Sequence, residues 1–138
     1  MDIQGFTAGP FRTNTYIVAE GKRAFIVDPG MDSMSKVLSH DYDYEAIVLT
    51  HGHIDHTRDC AEFGVPVYIH PDDEVMLDPQ WGAPGDFGRI FEVDSMKQPE
   101  DLRHLTAGET MTFAGMDFRI VHAPGHSPGS CLLIAASD

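Results

Sequence analysis

The chain has 138 residues, enough for one domain with its own core and too few for two, and its 42% hydrophobic and 22% charged content is that of a folded globular protein. Asp and Glu total 22 against 9 Lys and Arg, a formal charge of -13, which argues against nucleic acid, since phosphate binding depends on clustered Lys and Arg displacing counterions. No apolar run approaches the roughly 20 residues that span a bilayer, no basic and apolar leader opens the chain, and Cys60 and Cys131 read as reduced thiols of a cytoplasmic protein.

Thr13 to Ala19 and Ala24 to Asp28, two β-branched segments separated by Glu20-Gly21-Lys22-Arg23, predict a hairpin. In Ser33 to His40, Met34, Val37 and Leu38 recur at the spacing of one helical face. The apolar run Ala46 to Thr50 predicts a strand buried on both faces that ends directly in His51. A helix is expected from Asp55 to Phe63, stopped at Gly64, and a buried strand from Pro66 to His70. Pro71 to Leu77 reads as a short helix with Pro in its first turn. Asp78 to Arg103, with Trp81, Gly82, Pro84, Gly85, Gly88 and Pro99 and little periodicity, reads as a long, partly ordered excursion suited to shaping a substrate mouth. Strands follow at Thr110 to Phe113, Met116 to His122 and Ser130 to Ala135. Strands alternating with helices make this a mixed α/β fold in a single domain.

The chemistry concentrates in Thr50-His51-Gly52-His53-Ile54-Asp55-His56, a cluster that a shuffled chain of this composition would contain with a probability of roughly 0.003. Imidazole nitrogens suit zinc, iron and similar ions, and a carboxylate suits the same or a harder one. His51 and His53, two apart, can face one ion, while Asp55 and His56, opening the helix, point to a neighbouring position. Gly52, without a Cβ, lets the backbone turn close to an ion. A second segment, His122-Ala123-Pro124-Gly125-His126-Ser127-Pro128-Gly129-Ser130, holds His126 in a loop stiffened by two prolines, which favours His126 as a further ligand. His122 is expected to end its strand or to support the ligands from behind.

These two segments, with Val27 to Gly30 (VDPG) and the opening Gly9 to Val18 (GPFRTNTYIV), resemble the metallo-β-lactamase superfamily, and most closely its glyoxalase II-like thioesterase branch. The resemblance covers nearly the whole chain. It implies an αββα sandwich, of which this chain would supply the first half and the start of the second. It also implies one metal on His51, His53 and His126, a second on Asp55 and His56, and Asp28 as a structural residue beneath them. Family members continue into a bridging Asp and a further His, whereas this sequence ends at Asp138, which is not equated with the bridging residue. The 1-138 domain is therefore expected to be incomplete, to hold at most one ion tightly, to show little activity, and either to self-associate through an uncovered C-terminal sheet edge or to bury that edge against something else.

The implied activity is hydrolysis, with zinc as the expected metal, one or two ions in the complete protein, and iron or manganese as alternatives. A divalent metal lowers the pKa of its bound water toward roughly 7 and polarises an acyl carbonyl, so no protein nucleophile is needed. Asp55 takes the catalytic role of orienting the attacking hydroxide. The partner is a small-molecule substrate, by resemblance a thioester, with no nucleic acid and no membrane. Two other readings compete: a mononuclear iron oxygenase of the persulfide dioxygenase type, distinguished by one iron and oxygen consumption, and a non-catalytic metal-binding module.

Overall fold

The computed structural model describes residues 1–135; Asp138 lies outside the described residues. Antiparallel strands β1 (Asp2–Ala8), β2 (Thr13–Glu20) and β3 (Arg23–Val27) lead into parallel strands β4 (Asp43–Val48), β5 (Val67–Ile69) and β6 (Leu102–His104), all in one sheet whose spatial order follows the sequence. Strands β7 (Thr110–Phe113), β8 (Met116–His122) and β9 (Cys131–Ala135) form a second, antiparallel sheet.

Successive side chains of a strand leave opposite faces, and here that alternation separates two cores. Ile17, Ala19, Ala24, Ile26 and Ile47 pack on one side with Val37 of helix α1 (Met34–Leu38) and with Cys60. Val18, Phe25, Ala46 and Val48 pack on the other side with Phe113, Phe118 and Ile120 of the second sheet. Both faces of the central strands are thus covered, which is why they read as unbroken apolar runs. Both cysteines are free and buried. Among the described residues no helix is long and apolar enough to cross a membrane.

The hairpin and the later strands lie where the sequence places them, and three segments differ. Strand β1 was not foreseen: its side chains are largely exposed, and it is held by backbone pairing along β2 from Asp2↔Ala19 to Ala8↔Thr13. The helix expected over Asp55 to Phe63 is only α2 (Ile54–Thr57). Beyond it Cys60 N–H bonds to Thr57 C=O and Glu62 N–H to Asp59 C=O, so the chain continues in three-residue turns while Ile54 and Cys60 stay buried. The Asp78 to Arg103 excursion is more ordered than expected, with α3 (Pro79–Gly82), α4 (Asp86–Ile90), a 3-10 turn (Val93–Ser95) and β6.

Tertiary contacts that have no periodic signature order this excursion. Phe91 and Ala83 are buried with Met31 and Ile54 in a third small core. The buried Arg58 guanidinium donates to Phe91 C=O (2.5 Å), Glu92 C=O (3.1 Å) and Ser95 Oγ (2.9 Å), and lies 3.3 Å from Asp59. Burial pushes the Asp59 carboxyl up to about 6 despite Arg58 beside it. A folded-state pKa above the unfolded 3.8 means that this group's contribution is full below pH 3.8 and is lost as pH rises through about 6. Asp59→Asn is therefore expected to flatten the fall in stability between about pH 4 and pH 6 in urea titrations; an unchanged profile would remove Asp59 as its source.

The parallel strands β3, β4 and β5 end at a common edge, where Asp28, Thr50-His51 and His70 follow them. The second sheet joins this edge through Cys131 N–H, which donates to Thr50 C=O at 2.7 Å. Crevices at the carboxyl ends of parallel strands are the usual place for ligands in α/β sheets.

Candidate metal centre

Val48 and Leu49 are fully buried and carry the chain straight to the edge at Thr50. There the Asp28 carboxylate accepts the Thr50 N–H at Oδ1 (2.8 Å) and the Thr50 hydroxyl at Oδ2 (2.6 Å). Thr50 Oγ1 also lies 2.9 Å from His51 Nδ1. A carboxylate only accepts, so the single hydroxyl hydrogen goes to Asp28 and Thr50 Oγ1 must accept from His51 Nδ1–H. The network thereby assigns the tautomer that leaves His51 Nε2 with a bare lone pair. That Nε2 is buried and has no hydrogen-bond partner.

The remaining imidazoles gather around it. His53 Nδ1 lies 3.0 Å from His126 Nε2, although the two residues are 73 positions apart. The ring centroids of His53 and His126 are 5.0 and 4.9 Å from that of His51, and each of the three residues offers a nitrogen within 4.8 Å of the others. Leaving a buried polar atom unmatched costs about 1–3 kcal/mol. Three convergent imidazole nitrogens, one of them orphaned, are a donor set that suits a divalent transition metal.

His56 and Asp55 sit alongside. His56 Nδ1 is 3.1 Å from Asp28 Oδ2, its Nε2 is 3.3 Å from Asp55 Oδ2, and its ring is 4.2 Å from that of His51. Asp55 Oδ2 also accepts from Thr13 Oγ1 at 3.4 Å. Asp28 is therefore more than a turn carboxylate: it holds Thr50 and His56 together and, through Thr50, sets the tautomer of His51. Its φ of 53° lies in the left-handed region, which Asp tolerates better than most residues.

Burial and the neighbouring His56 push the His51 imidazole down to about 4. Burial and then His126 lower His53. Both are thus neutral at pH 7, the state in which imidazole binds a metal. Burial also acts to lower His56, but the bond to Asp28 and the charges of Asp28 and Asp55 outweigh it, and the net shift is upward.

His126 rides on an exposed loop closed by Ala123 N–H to Ser130 C=O (2.8 Å) and Gly125 N–H to Ser127 C=O (3.1 Å). His122 supports it from the end of β8, where its Nε2 donates to Pro128 C=O at 2.7 Å and its ring stacks on His70 with centroids 4.2 Å apart. His70, His122 and Asp72 form a separate group, in which His70 Nδ1 already accepts from Asp72 N–H at 3.1 Å.

A strand edge that delivers a His-x-His-x-Asp-His segment to a loop histidine from a second sheet forms a candidate metal centre at the edge of a mixed α/β fold. Residues 8–138 match the family model of the Metallo-beta-lactamase superfamily, and the chain belongs to that family. It is similar over its full length to an uncharacterized protein of Mycobacterium leprae, ML0493, at 34% identity, covering 69% of that protein. It is 27% identical over 94% of its length to the hydroxyacylglutathione hydrolase GloC of Haemophilus influenzae, covering 64% of that protein. Among solved structures it resembles the BLEG-1 B3 metallo-beta-lactamase, with a TM-score of 0.79 and 29% identity over 97% of this chain and 67% of that one. It also resembles TTHA1623 in a di-iron-bound form, with a TM-score of 0.75 and 30% identity over 96% of this chain and 66% of that one. The chain thus spans about two thirds of the length of these proteins.

Proposed function

We propose that His51 Nε2, His53 Nδ1 and His126 Nε2 hold one divalent metal ion, that Asp55 and His56 line the adjacent position, and that the chain carries the metal site of a hydrolase acting on thioesters. The observation that carries this reading is the buried, partnerless Nε2 of His51, turned out by the Asp28–Thr50 relay beside two further imidazoles. The similarity to a protein named hydroxyacylglutathione hydrolase supports the thioester, and the likeness to a di-iron protein makes iron as worth loading as zinc.

Bound there, a divalent metal supplies a water of lowered pKa and a Lewis acid for the acyl carbonyl. The chain's own residues provide the rest. The Thr50 hydroxyl keeps the His51 lone pair facing the site. Asp28 holds His56 by Nδ1, so that its Nε2 stays beside Asp55. Asp55, steadied by Thr13, is placed to accept a hydrogen bond from the attacking water and orient it.

The test is hydrolysis of an S-(2-hydroxyacyl)glutathione by the domain extended to the length of its relatives and loaded with zinc or iron. Turnover that a chelator abolishes, and that Asp55→Ala lowers by about a thousandfold in kcat, is expected. Wild-type turnover by Asp55→Ala at saturating metal would overturn the role given to Asp55. Oxygen consumption with a persulfide, and no thioester cleavage, would overturn the hydrolase reading in favour of a dioxygenase.

A further inference from the structure

Asp73, on the 3-10 helix Pro71–Leu77, is fully buried, and no Lys or Arg pairs with it among the described residues. Its carboxylate is instead saturated by three donors from the two histidine-bearing segments. Oδ2 accepts the Gly52 N–H at 2.8 Å and the Ser127 hydroxyl at 2.5 Å, and Oδ1 accepts the Gly129 N–H at 2.7 Å. Gly52 lies between His51 and His53; Ser127 directly follows His126. One carboxylate thus grips both segments within a residue of the imidazoles.

The glycines record how close this grip is. A Cβ at Gly52 would lie 2.8 Å from Asp73 O and from Met76 Cβ, and one at Gly129 would lie 2.8 Å from Asp73 Cγ. Neither residue has a positive φ, so it is the approach of Asp73 and its turn, not backbone conformation, that excludes a side chain. Among the described residues, the other polar links between the segments are the Cys131 to Thr50 backbone bond and the His53–His126 contact itself.

We infer that Asp73 is a positioning residue, a buried carboxylate clamp that fixes the spacing of His53 and His126 before any ion binds. The inference rests on the metal reading proposed above. A partner that orients ligands from behind contributes about tenfold to hundredfold in metal affinity, because without it the ion must order the loops as it binds.

The full 138-residue chain is titrated with cobalt(II) alone, read by its visible d–d absorption, as wild type, Asp73→Asn and Ser127→Ala. Amide hydrogen exchange of each metal-free protein is measured at Gly52, Gly129 and Val48. Asp73→Asn keeps the shape but turns an NH2 toward at least one donor, and it is expected to weaken cobalt binding by about tenfold to hundredfold and shift the d–d bands. Exchange at Gly52 and Gly129 should accelerate, with Val48 in β4 unchanged. Ser127→Ala, which removes one bond of the three, should weaken cobalt in the same direction by less. Wild-type affinity and spectrum in Asp73→Asn overturn the inference, as does unchanged affinity in Ser127→Ala if Asp73→Asn does not fold. A wild-type chain that takes up no cobalt overturns the metal reading and this inference with it, whereas cobalt uptake indifferent to Asp73 overturns this inference alone.

Discussion

Replacing His53 by alanine is expected to weaken zinc binding about a hundredfold to a thousandfold while leaving the metal-free fold intact. Structural zinc sites with four protein ligands bind with about 10–16 kcal/mol, so one ligand accounts for about 2.5–4 kcal/mol, a factor of about a hundred to a thousand. The side chain belongs to none of the core clusters: His53 is half-buried at the edge of the sheet, and its Nδ1 lies 3.0 Å from His126 Nε2. Competition titration against a chromophoric chelator gives the affinity, and thermal unfolding of the metal-free protein gives the control. Equal zinc affinity in wild type and His53→Ala would remove His53 from the ligand set. The same measurement gives the stoichiometry, expected to be one, since Asp55 and His56 alone offer too few protein ligands to hold a second ion tightly.

Replacing Asp28 by alanine is expected to destabilise the metal-free chain by about 3 kcal/mol, since partners lost from buried polar groups cost about 1–3 kcal/mol and a left-handed non-glycine residue about 1–2 kcal/mol more where Asp no longer relieves it. The carboxylate is 4% exposed and serves the Thr50 N–H, the Thr50 hydroxyl and His56. Asp28→Asn keeps one acceptor and tolerates the φ of 53°, so its loss should be about half as large. Urea unfolding measures both. A second readout is specific to the relay: once Asp28 is gone, the Thr50 hydroxyl is free to donate to His51 Nδ1. The 15N shifts of the His51 ring should then move from one tautomer toward a mixture. Unaltered stability together with an unaltered tautomer would show that Asp28 plays no such part.

Much of the fold was legible along the chain because two periodicities dominate it. The runs Ala24 to Val27 and Ala46 to Leu49 are apolar on successive residues, since cores lie on both their faces, Thr13 to Ala19 is rich in β-branched residues, and the structure has β2, β3 and β4 there. Strand β1 was not legible: an edge strand with exposed side chains owes its conformation to backbone pairing, which leaves little trace in residue type. The excursion was illegible for a related reason, since its order comes from Arg58 capping carbonyls 33 and 34 positions away and from Phe91 entering a core with Met31.

The candidate site divides in the same way. Sequence alone singled out the candidate metal-binding side chains, because four metal-competent residues in six positions serve no packing purpose, and it placed His51 at a strand end. Only the tertiary structure decided that His126 reaches His53 across 73 positions, that Asp28 sets the His51 tautomer through Thr50, and that Asp73 joins both segments. Each of these depends on polar contacts between residues far apart in the chain. Hydrophobic burial repeats with the period of helix or strand and so is written along a sequence, whereas a directional bond between two distant groups exists only after the sheets have brought them within about 3 Å of each other.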